Sequence, residues 1–235
     1  MKPTAILFDL DGTLLPMDLD LFLKDYFSRL AAHMAKKGYA PDKLVNAVWQ
    51  GTRAMIANDG GETNEVRFWD SFALELGAGA RDEEPYLDVF YKTEFDKIAP
   101  TCGRLDDAGE IIKRLKGMGY RLILATNPIF PRIATEKRSA WAGLDLSDFE
   151  LVTTYENSRF TKPNLNYYRD ILASQGLKPE ECLMVGNDVG EDMIAAELGL
   201  DVFLLPKCLI NRKDLDISAY PKGELRDLLS YLEAK

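Results

Sequence analysis

The sequence predicts an α/β protein, with a Rossmann-like doubly wound parallel sheet as its core and an all-α domain inserted into that core. From about residue 101 onward, short apolar runs alternate with segments of helical period. This alternation is typical of βαβ units with helices on both faces of a parallel sheet. Residues 16–100, in contrast, show helical periodicity and no strand pattern. With 235 residues, 46% of them hydrophobic, the chain can bury one large core and a smaller second one.

The first predicted strand is the short apolar run Ala5–Phe8, and two carboxylates follow it directly. Asp9 and Asp11 are two residues apart, so their side chains lie on the same side of the chain. Each disfavours ionisation of the other, and such pairs are more common at metal or catalytic sites than in plain structure. Gly12 and Thr13 then give a tight turn with a hydroxyl. Asp, Gly and Thr are also ordinary turn residues, so this segment alone does not distinguish a metal or catalytic site from a plain turn.

Residues 16–100, called the helical insertion below, are predicted to form four amphipathic helices. Apolar side chains recur at i, i+3, i+4 and i+7 over residues 19–34 and 44–56, and more loosely over 68–76 and 87–95. Prolines mark both ends, so we expect hinges near Leu15-Pro16 and Ala99-Pro100. The predicted domains are therefore an α/β core of residues 1–15 and 101–235, and a helical domain of residues 16–100.

The rest of the core is predicted from alternating patterns. We expect strands at residues 121–125, 149–153, 182–185 and 201–205, and helices at residues 106–117, 131–141, 164–174, 191–198 and 224–232.

Polar side chains follow four of the predicted strands. Beyond the Asp9 pair, these are Thr126 and Asn127, then Lys162, then Asp188 with Asp192. Each has an ordinary alternative, because Thr126 or Asp188 could be a helix cap and Lys162 a solvated lysine. Ligands of open α/β sheets bind outside the carboxyl ends of the strands, where all of these side chains would meet. Their convergence with complementary charge favours a site.

The order and spacing of these residues resemble the haloacid dehalogenase superfamily of phosphohydrolases. Asp9-Leu10-Asp11-Gly12-Thr13 matches the first motif of that family, and a strand that ends in Thr126 matches the second. Lys162-Pro163 matches the third, and Asp188 with Asp192 matches the acidic fourth. The helical insertion between the first two motifs resembles the type 1 cap of the family.

The resemblance implies Mg²⁺-dependent hydrolysis of a phosphate monoester through an aspartyl-phosphate. Asp9 would be the nucleophile and a metal ligand, and Asp11 would act as acid–base and bind the metal through its backbone carbonyl. Asp188 would be a further ligand, and Asp192 would hold a metal-bound water or orient Asp188. Dehalogenase members lack an acid–base aspartate at the position of Asp11, so its presence favours phosphoryl transfer.

The other motif residues would hold the phosphoryl group. By the same resemblance, Lys162 and the Thr126 hydroxyl would bind its oxygens, and Asn127 and Gly12 would add backbone N–H donors. The substrate would be a small phosphorylated metabolite. Its identity would be set by residues that face the site, for which the candidates are Met17, Asp18, Trp49, Arg53, Phe130 and Arg132. Packing within the bundle is the ordinary alternative for Trp49, and a surface position is the alternative for Arg53 and Arg132.

Other functions fit parts of the pattern. A phosphomutase similar to β-phosphoglucomutase would use the same four motifs. A phospho-acceptor signalling module also phosphorylates an aspartate beside Mg²⁺, but the helical insertion counts against that class. A non-catalytic binding protein would have no reason to keep every motif position.

Composition limits the remaining possibilities. The net charge of −9 argues against nucleic-acid and anionic-membrane partners. Three scattered cysteines and an N-terminus without a signal-peptide pattern favour a reducing cytoplasm. The single histidine, His33, excludes Ser-His-Asp and multi-His zinc chemistry, and we expect it to have a packing or surface role. The sequence does not predict an oligomeric state.

Overall fold

The computed structural model describes residues 2–235 and contains the predicted parallel sheet. Its five strands lie in the order β3-β2-β1-β4-β5. They are β1 (Ala5–Phe8), β2 (Arg121–Leu124), β3 (Leu151–Val152), β4 (Cys182–Gly186) and β5 (Asp201–Leu204). Phe8 pairs with Leu124 on one side and Val185 on the other. The strand that ends at Asp9 is therefore central, and the strand order reverses between β1 and β4, where ligands bind in such sheets.

Eight α-helices accompany the sheet within residues 2–235. They are α1 (Leu19–Ala35), α2 (Pro41–Ile56), α3 (Asn64–Leu76), α4 (Glu84–Thr93), α5 (Ala108–Gly117), α6 (Arg132–Trp141), α7 (Leu165–Gln175) and α8 (Asp227–Glu233). Short 3₁₀ segments complete the structure at Ala78–Glu83, Phe95–Thr101, Leu146–Asp148, Pro179–Glu181, Met193–Leu198 and Pro206–Cys208. No helix in this part of the chain has both the length and the apolar character needed to cross a membrane.

Alternate residues of β1 face opposite layers, as the strand period requires. Ile6 and Phe8 pack in a cluster with α5 and α8, whereas Ala5 and Leu7 pack with α7 on the other face. The sheet is therefore covered on both sides, which explains why its strands are apolar throughout.

Helices α1 to α4 occupy the helical insertion and pack around a second hydrophobic cluster, which also includes Ala134 of α6. The two segments that connect it to the sheet run side by side. Met17 and Cys102 form an antiparallel bridge, and the Gly103 N–H donates to the Pro16 carbonyl over 2.6 Å. His33 is buried in this cluster, with Nε2 3.0 Å from the Tyr86 carbonyl oxygen, so its role is packing.

The structure differs from the predicted elements in two places near the site. The third strand is limited to Leu151 and Val152 within the predicted residues 149–153, since it lies at the sheet edge and only these two residues pair with β2. The predicted helix over residues 191–198 is wrong in type and start, since Met193–Leu198 is a 3₁₀ segment. The Asp192 carboxylate accepts the N–H groups of Asn187 and Asp188, and this bond holds the preceding loop in a tight turn.

Candidate active site

Asp9 lies at the end of the central strand and is almost completely buried. Its Oδ1 accepts a hydrogen bond of 3.0 Å from the Lys162 Nζ, and its Oδ2 lies 3.0 Å from the Thr13 hydroxyl. The same hydroxyl is 2.8 Å from the Asn187 Oδ1. A buried carboxylate requires such partners, because burial of an unpaired charge is costly. These contacts fix the Asp9 side chain at the mouth of the sheet crevice.

Lys162 connects the first and fourth acidic motifs. Its fully buried Nζ also donates to the Asp192 Oδ1 over 2.6 Å. Burial alone lowers the pKa of Lys162, but Asp192 and Asp9 outweigh it and raise that pKa well above its ordinary value. For Asp192, in contrast, burial raises the pKa, because it disfavours the charged carboxylate, and the Lys162 charge opposes this rise. Lys162 is therefore a permanent cation between two carboxylates. The alternative that it is an ordinary solvated lysine is wrong.

Asp11 has a partner that the motif does not include. Its Oδ2 accepts a hydrogen bond from the Arg138 Nη1 of α6, and the Arg138 guanidinium lies over the Phe130 ring, 4.4 Å from its centroid. Burial raises the pKa of Asp11, Arg138 lowers it, and Asp9 raises it further. The Asp11 Oδ1 is buried and has no hydrogen-bond partner among the described residues. Asp11 therefore presents one anchored oxygen and one free oxygen.

Asp188 follows β4 and lies beside the Asp9 end of β1. Its Oδ1 accepts the N–H groups of Gly190 and Glu191 at 2.8 and 3.0 Å. Its Oδ2 accepts a hydrogen bond of 3.1 Å from the Nη1 of Arg212, a residue of the loop after β5. The Arg212 side chain is mostly exposed, so this contact can be exchanged for another cation at little cost.

Thr126 and Asn127 follow β2, as predicted. The Thr126 hydroxyl is buried, and no atom of residues 2–235 forms a hydrogen bond with it. The Asn127 side chain donates to the Glu191 carboxylate over 3.0 Å and accepts the Lys162 N–H at 3.3 Å. Asn127 therefore orders the loops around the site through its amide group, and Thr126 provides a free hydroxyl.

Gly12 makes the turn after the two aspartates. Its φ of +87° is left-handed, and a side chain there would collide with Asn187. Glycine is therefore required for both reasons. The Gly12 N–H already donates to the Leu15 carbonyl over 2.8 Å. The Gly12 N–H is thus bonded within the turn in this structure. The prediction that it is free to donate to phosphate is not met here.

A cavity of about 860 Å³ extends from these residues under the helical insertion. Four of the six expected specificity residues line it, namely Met17, Asp18, Trp49 and Phe130. Arg53 and Arg132 do not. Arg132 is exposed and donates to Glu136 one helical turn away, and Arg53 lies on the outer face of α2.

The donors around Asp9 suit a hard divalent cation better than any other metal. Carboxylates outnumber cations at this end of the sheet, where Asp9, Asp11, Asp188, Glu191 and Asp192 meet Lys162, Arg138, Lys207 and Arg212. Within the described chain, no three His, Cys, Asp or Glu side chains converge to hold a metal unaided. Mg²⁺ fits such a site, since it typically binds one or two carboxylates and keeps several waters and substrate oxygens.

Two arginines of the site were missed by the sequence prediction. Arg138 lies on the buried stripe of α6 with Ala134, Thr135 and Ser139. An arginine on the inner face of a helix is a signal that could have identified it. Arg212 lies in a polar loop that contains other basic residues, and no pattern distinguishes it there.

Comparison with known proteins identifies the family. A model described as haloacid dehalogenase-like hydrolase matches residues 3–199. The chain is 35% identical to glyceraldehyde 3-phosphate phosphatase of Methanothermobacter thermautotrophicus over 82 residues, which is 35% of each chain. It is 27% identical to ribulose-1,5-bisphosphate 5-phosphatase of Halopiger xanaduensis, in an alignment that covers 97% of this chain and 99% of the relative. A solved HAD phosphatase from Thermococcus onnurineus shares the fold, with a TM-score of 0.59, 19% identity and 97% of each chain covered.

Proposed function

Because this chain belongs to the haloacid dehalogenase-like hydrolase family, we propose that it hydrolyses a small phosphate monoester with Mg²⁺ through an aspartyl-phosphate on Asp9. The relatives named above are phosphatases of phosphorylated metabolites, which supports the reaction class. One observation carries the assignment of residues. Beside the fixed Asp9 carboxylate, the Thr126 hydroxyl and the Asp11 Oδ1 are buried polar atoms without a partner among residues 2–235. Bound substrate would supply those partners.

In the first step, the Asp9 carboxylate attacks phosphorus while the ester P–O bond breaks. The leaving alkoxide takes a proton from Asp11, and the free Oδ1 is the atom that would carry that proton. In the second step, Asp11 takes a proton from water, which attacks phosphorus and releases inorganic phosphate and free Asp9. General acid–base help of this kind is typically worth ~10²–10⁴-fold in rate.

Two side chains would bind the charge that spreads over the phosphoryl oxygens. These are the Lys162 ammonium and the Thr126 hydroxyl, which both line the cavity next to Asp9. Mg²⁺, held by the carboxylates of Asp9 and Asp188 and the Asp11 carbonyl, would supply electrostatic stabilisation of the same charge. Asp192 would stay bonded to Lys162 and orient the loop that carries Asp188.

The helical insertion would act as a cap that covers the leaving group and excludes water. Its side chains line the part of the cavity away from the strand ends. The domain division at residues 16 and 100 is part of this proposal.

Phosphate release from a panel of phosphate monoesters tests the proposal. We expect turnover with Mg²⁺, loss of turnover after EDTA treatment, and recovery when Mg²⁺ is restored. Asp9→Asn should fold and lose at least about 10³-fold in kcat. Turnover that survives thorough chelation would exclude the metal, and a fully active Asp9→Asn would exclude the nucleophile.

A further inference from the structure

The cavity has two chemically different halves. The half at the strand ends carries the charged residues described above. The half under the helical insertion is lined by aromatic and aliphatic side chains from α1, α2 and α3, among them Phe22, Tyr26, Phe27, Val48, Trp49 and Phe68. Phe130 and Tyr155 add two more aromatic rings from the core side. A ligand bound to the phosphate half would therefore extend its remainder along an apolar wall.

The insertion offers no cation to that remainder. Of its residues that line the cavity, within the described part of the chain, none is lysine, arginine or histidine. The charged ones are the carboxylates of Asp18, Glu84 and Asp88. The basic residues Lys207 and Arg212 belong to the loop after β5, on the side of Asp188. A second anionic group on the leaving part of a substrate would thus lie unpaired among apolar and acidic side chains, which is costly.

We propose that the physiological substrate is a phosphate monoester of a neutral, largely hydrocarbon alcohol, without a second phosphate or a carboxylate on the leaving group. This inference rests on the proposed function, since it assumes that the phosphoryl group lies at Asp9. The cavity volume of about 860 Å³ is in the range of sites that bind a drug-sized organic molecule. Each methylene that the apolar wall removes from water makes binding more favourable. Each additional anion makes binding less favourable, because no cation of the insertion pairs with it.

Linear alkyl phosphates and their ω-carboxylated counterparts test the inference directly. Phosphate release with Mg²⁺ would be measured for butyl, hexyl and octyl phosphate and for the same chains that end in a carboxylate. We expect kcat/KM to rise about two- to fourfold per added methylene. We expect the ω-carboxylate to lower it by at least about tenfold, because its charge would be buried without a partner. A flat chain-length series, or a preference for the carboxylated esters, would overturn the inference.

Two substitutions locate the effect in the cavity. Trp49 is 39% exposed and lines the cavity, so Trp49→Ala should fold. It should reduce kcat/KM for octyl phosphate far more than for butyl phosphate. Leu74 lies on α3 outside the cavity and is 87% exposed, so Leu74→Ala should leave the series unchanged. Equal effects of Trp49→Ala on both esters would contradict the apolar wall.

The outcomes separate this inference from the function on which it rests. If no ester in either series releases phosphate with Mg²⁺, the phosphatase proposal fails and the inference fails with it. If short esters are turned over in a manner that depends on Asp9 and Mg²⁺ but the apolar chain gives no gain, the phosphatase proposal stands and only the substrate class is overturned.

Discussion

At the scale of single residues, the Thr126 hydroxyl is a strong indication of a ligand site. Its hydroxyl is buried and has no partner within residues 2–235, although a buried hydroxyl normally has one. The protein therefore gains nothing from this group in the folded state, and a ligand that completes the site explains it best. The neighbouring Asp9 shows the opposite arrangement, because both of its oxygens are held by protein groups.

Replacement of Thr126 by valine should separate binding chemistry from folding. The shape is kept and no protein hydrogen bond is lost, so the free energy of unfolding should change by less than about 1 kcal/mol. The loss of a donor to the phosphoryl oxygens should lower kcat by about 10²-fold, by analogy with other donors to developing charge. Urea unfolding and phosphate release measure the two effects, with Thr126→Ser as the control that keeps the hydroxyl. Activity of Thr126→Val equal to that of Thr126→Ser would contradict the assignment.

The sequence could predict which residues end the strands, but not all of their partners. Lys162 and Asp192 follow strands in order, and the topology then brings them to 2.6 Å from each other. Arg138 reaches Asp11 from the last turn of α6, across 127 residues of sequence. Such a contact depends on how α6 packs against the turn after β1, and periodicity does not encode this packing.

At the scale of elements, α6 is attached to the turn after β1 by a largely buried ion pair. Arg138 is 1% exposed as a side chain and Asp11 is 27% exposed. Arg138 also bonds within its own helix to the Ala134 carbonyl and the Thr135 hydroxyl, each over 3.3 Å. The guanidinium is thus held rigidly, and it fixes the Asp11 side chain in turn.

Arg138→Met should destabilise the fold by about 3 kcal/mol, because it leaves a largely buried carboxylate without its partner. The double variant Asp11→Asn/Arg138→Met should recover part of that loss, which a double-mutant cycle in urea measures. Arg29→Met removes a surface pair with Asp25 on α1 and should cost less than about 1 kcal/mol. If Arg138→Met is no less stable than Arg29→Met, the ion pair does not anchor α6.

The elements that the sequence predicted least well are those shaped by contacts of the site. The segment before Met193 is a turn and not a helix, and within it the Asp192 carboxylate accepts the N–H groups of Asn187 and Asp188. The strands β1, β2, β4 and β5 were predicted closely, since their short apolar runs follow from burial on both faces.

At the scale of the whole molecule, the start of α3 is one of the places, apart from the two chain connections, where the helical insertion contacts the core. Asn64 at the start of α3 is fully buried, and its side chain donates to the carbonyls of Pro128 and Phe160 at 3.2 and 3.3 Å. Its backbone N–H donates to the Ser158 carbonyl over 2.8 Å. These bonds join α3 to the loops after β2 and β3, and they hold the insertion over the cavity.

Asn64→Ala should weaken this closure. It leaves two core carbonyls without their donor, which should cost about 1–3 kcal/mol. Amide hydrogen exchange at the start of α3 should become faster than in the wild type, while the sheet should stay protected. Asn46→Ala removes a comparable but exposed contact with Glu75 and is the matched control. Exchange that is equally slow in both variants would show that Asn64 does not hold the insertion closed.

The architecture as a whole was predictable because a single change in the hydrophobic pattern separates an all-helical segment from a segment of alternating strands and helices. Helical periodicity over residues 16–100 gave way to alternating strands and helices, and the sheet and its helices follow that division. What the sequence could not provide was the character of the cavity, because its wall combines α1, α2 and α3 with the loops after β2 and β3. The boundaries of the two domains stay a prediction.

Trapping of the covalent intermediate at Asp9 tests the central claim most directly. The enzyme would be quenched during turnover of a phosphate monoester with Mg²⁺ and treated with borohydride, which reduces an aspartyl-phosphate to homoserine. Peptide mass spectrometry should then find homoserine at position 9 and not at position 11, and none after EDTA or without substrate. Homoserine at another aspartate, or its absence during rapid turnover, would contradict the account.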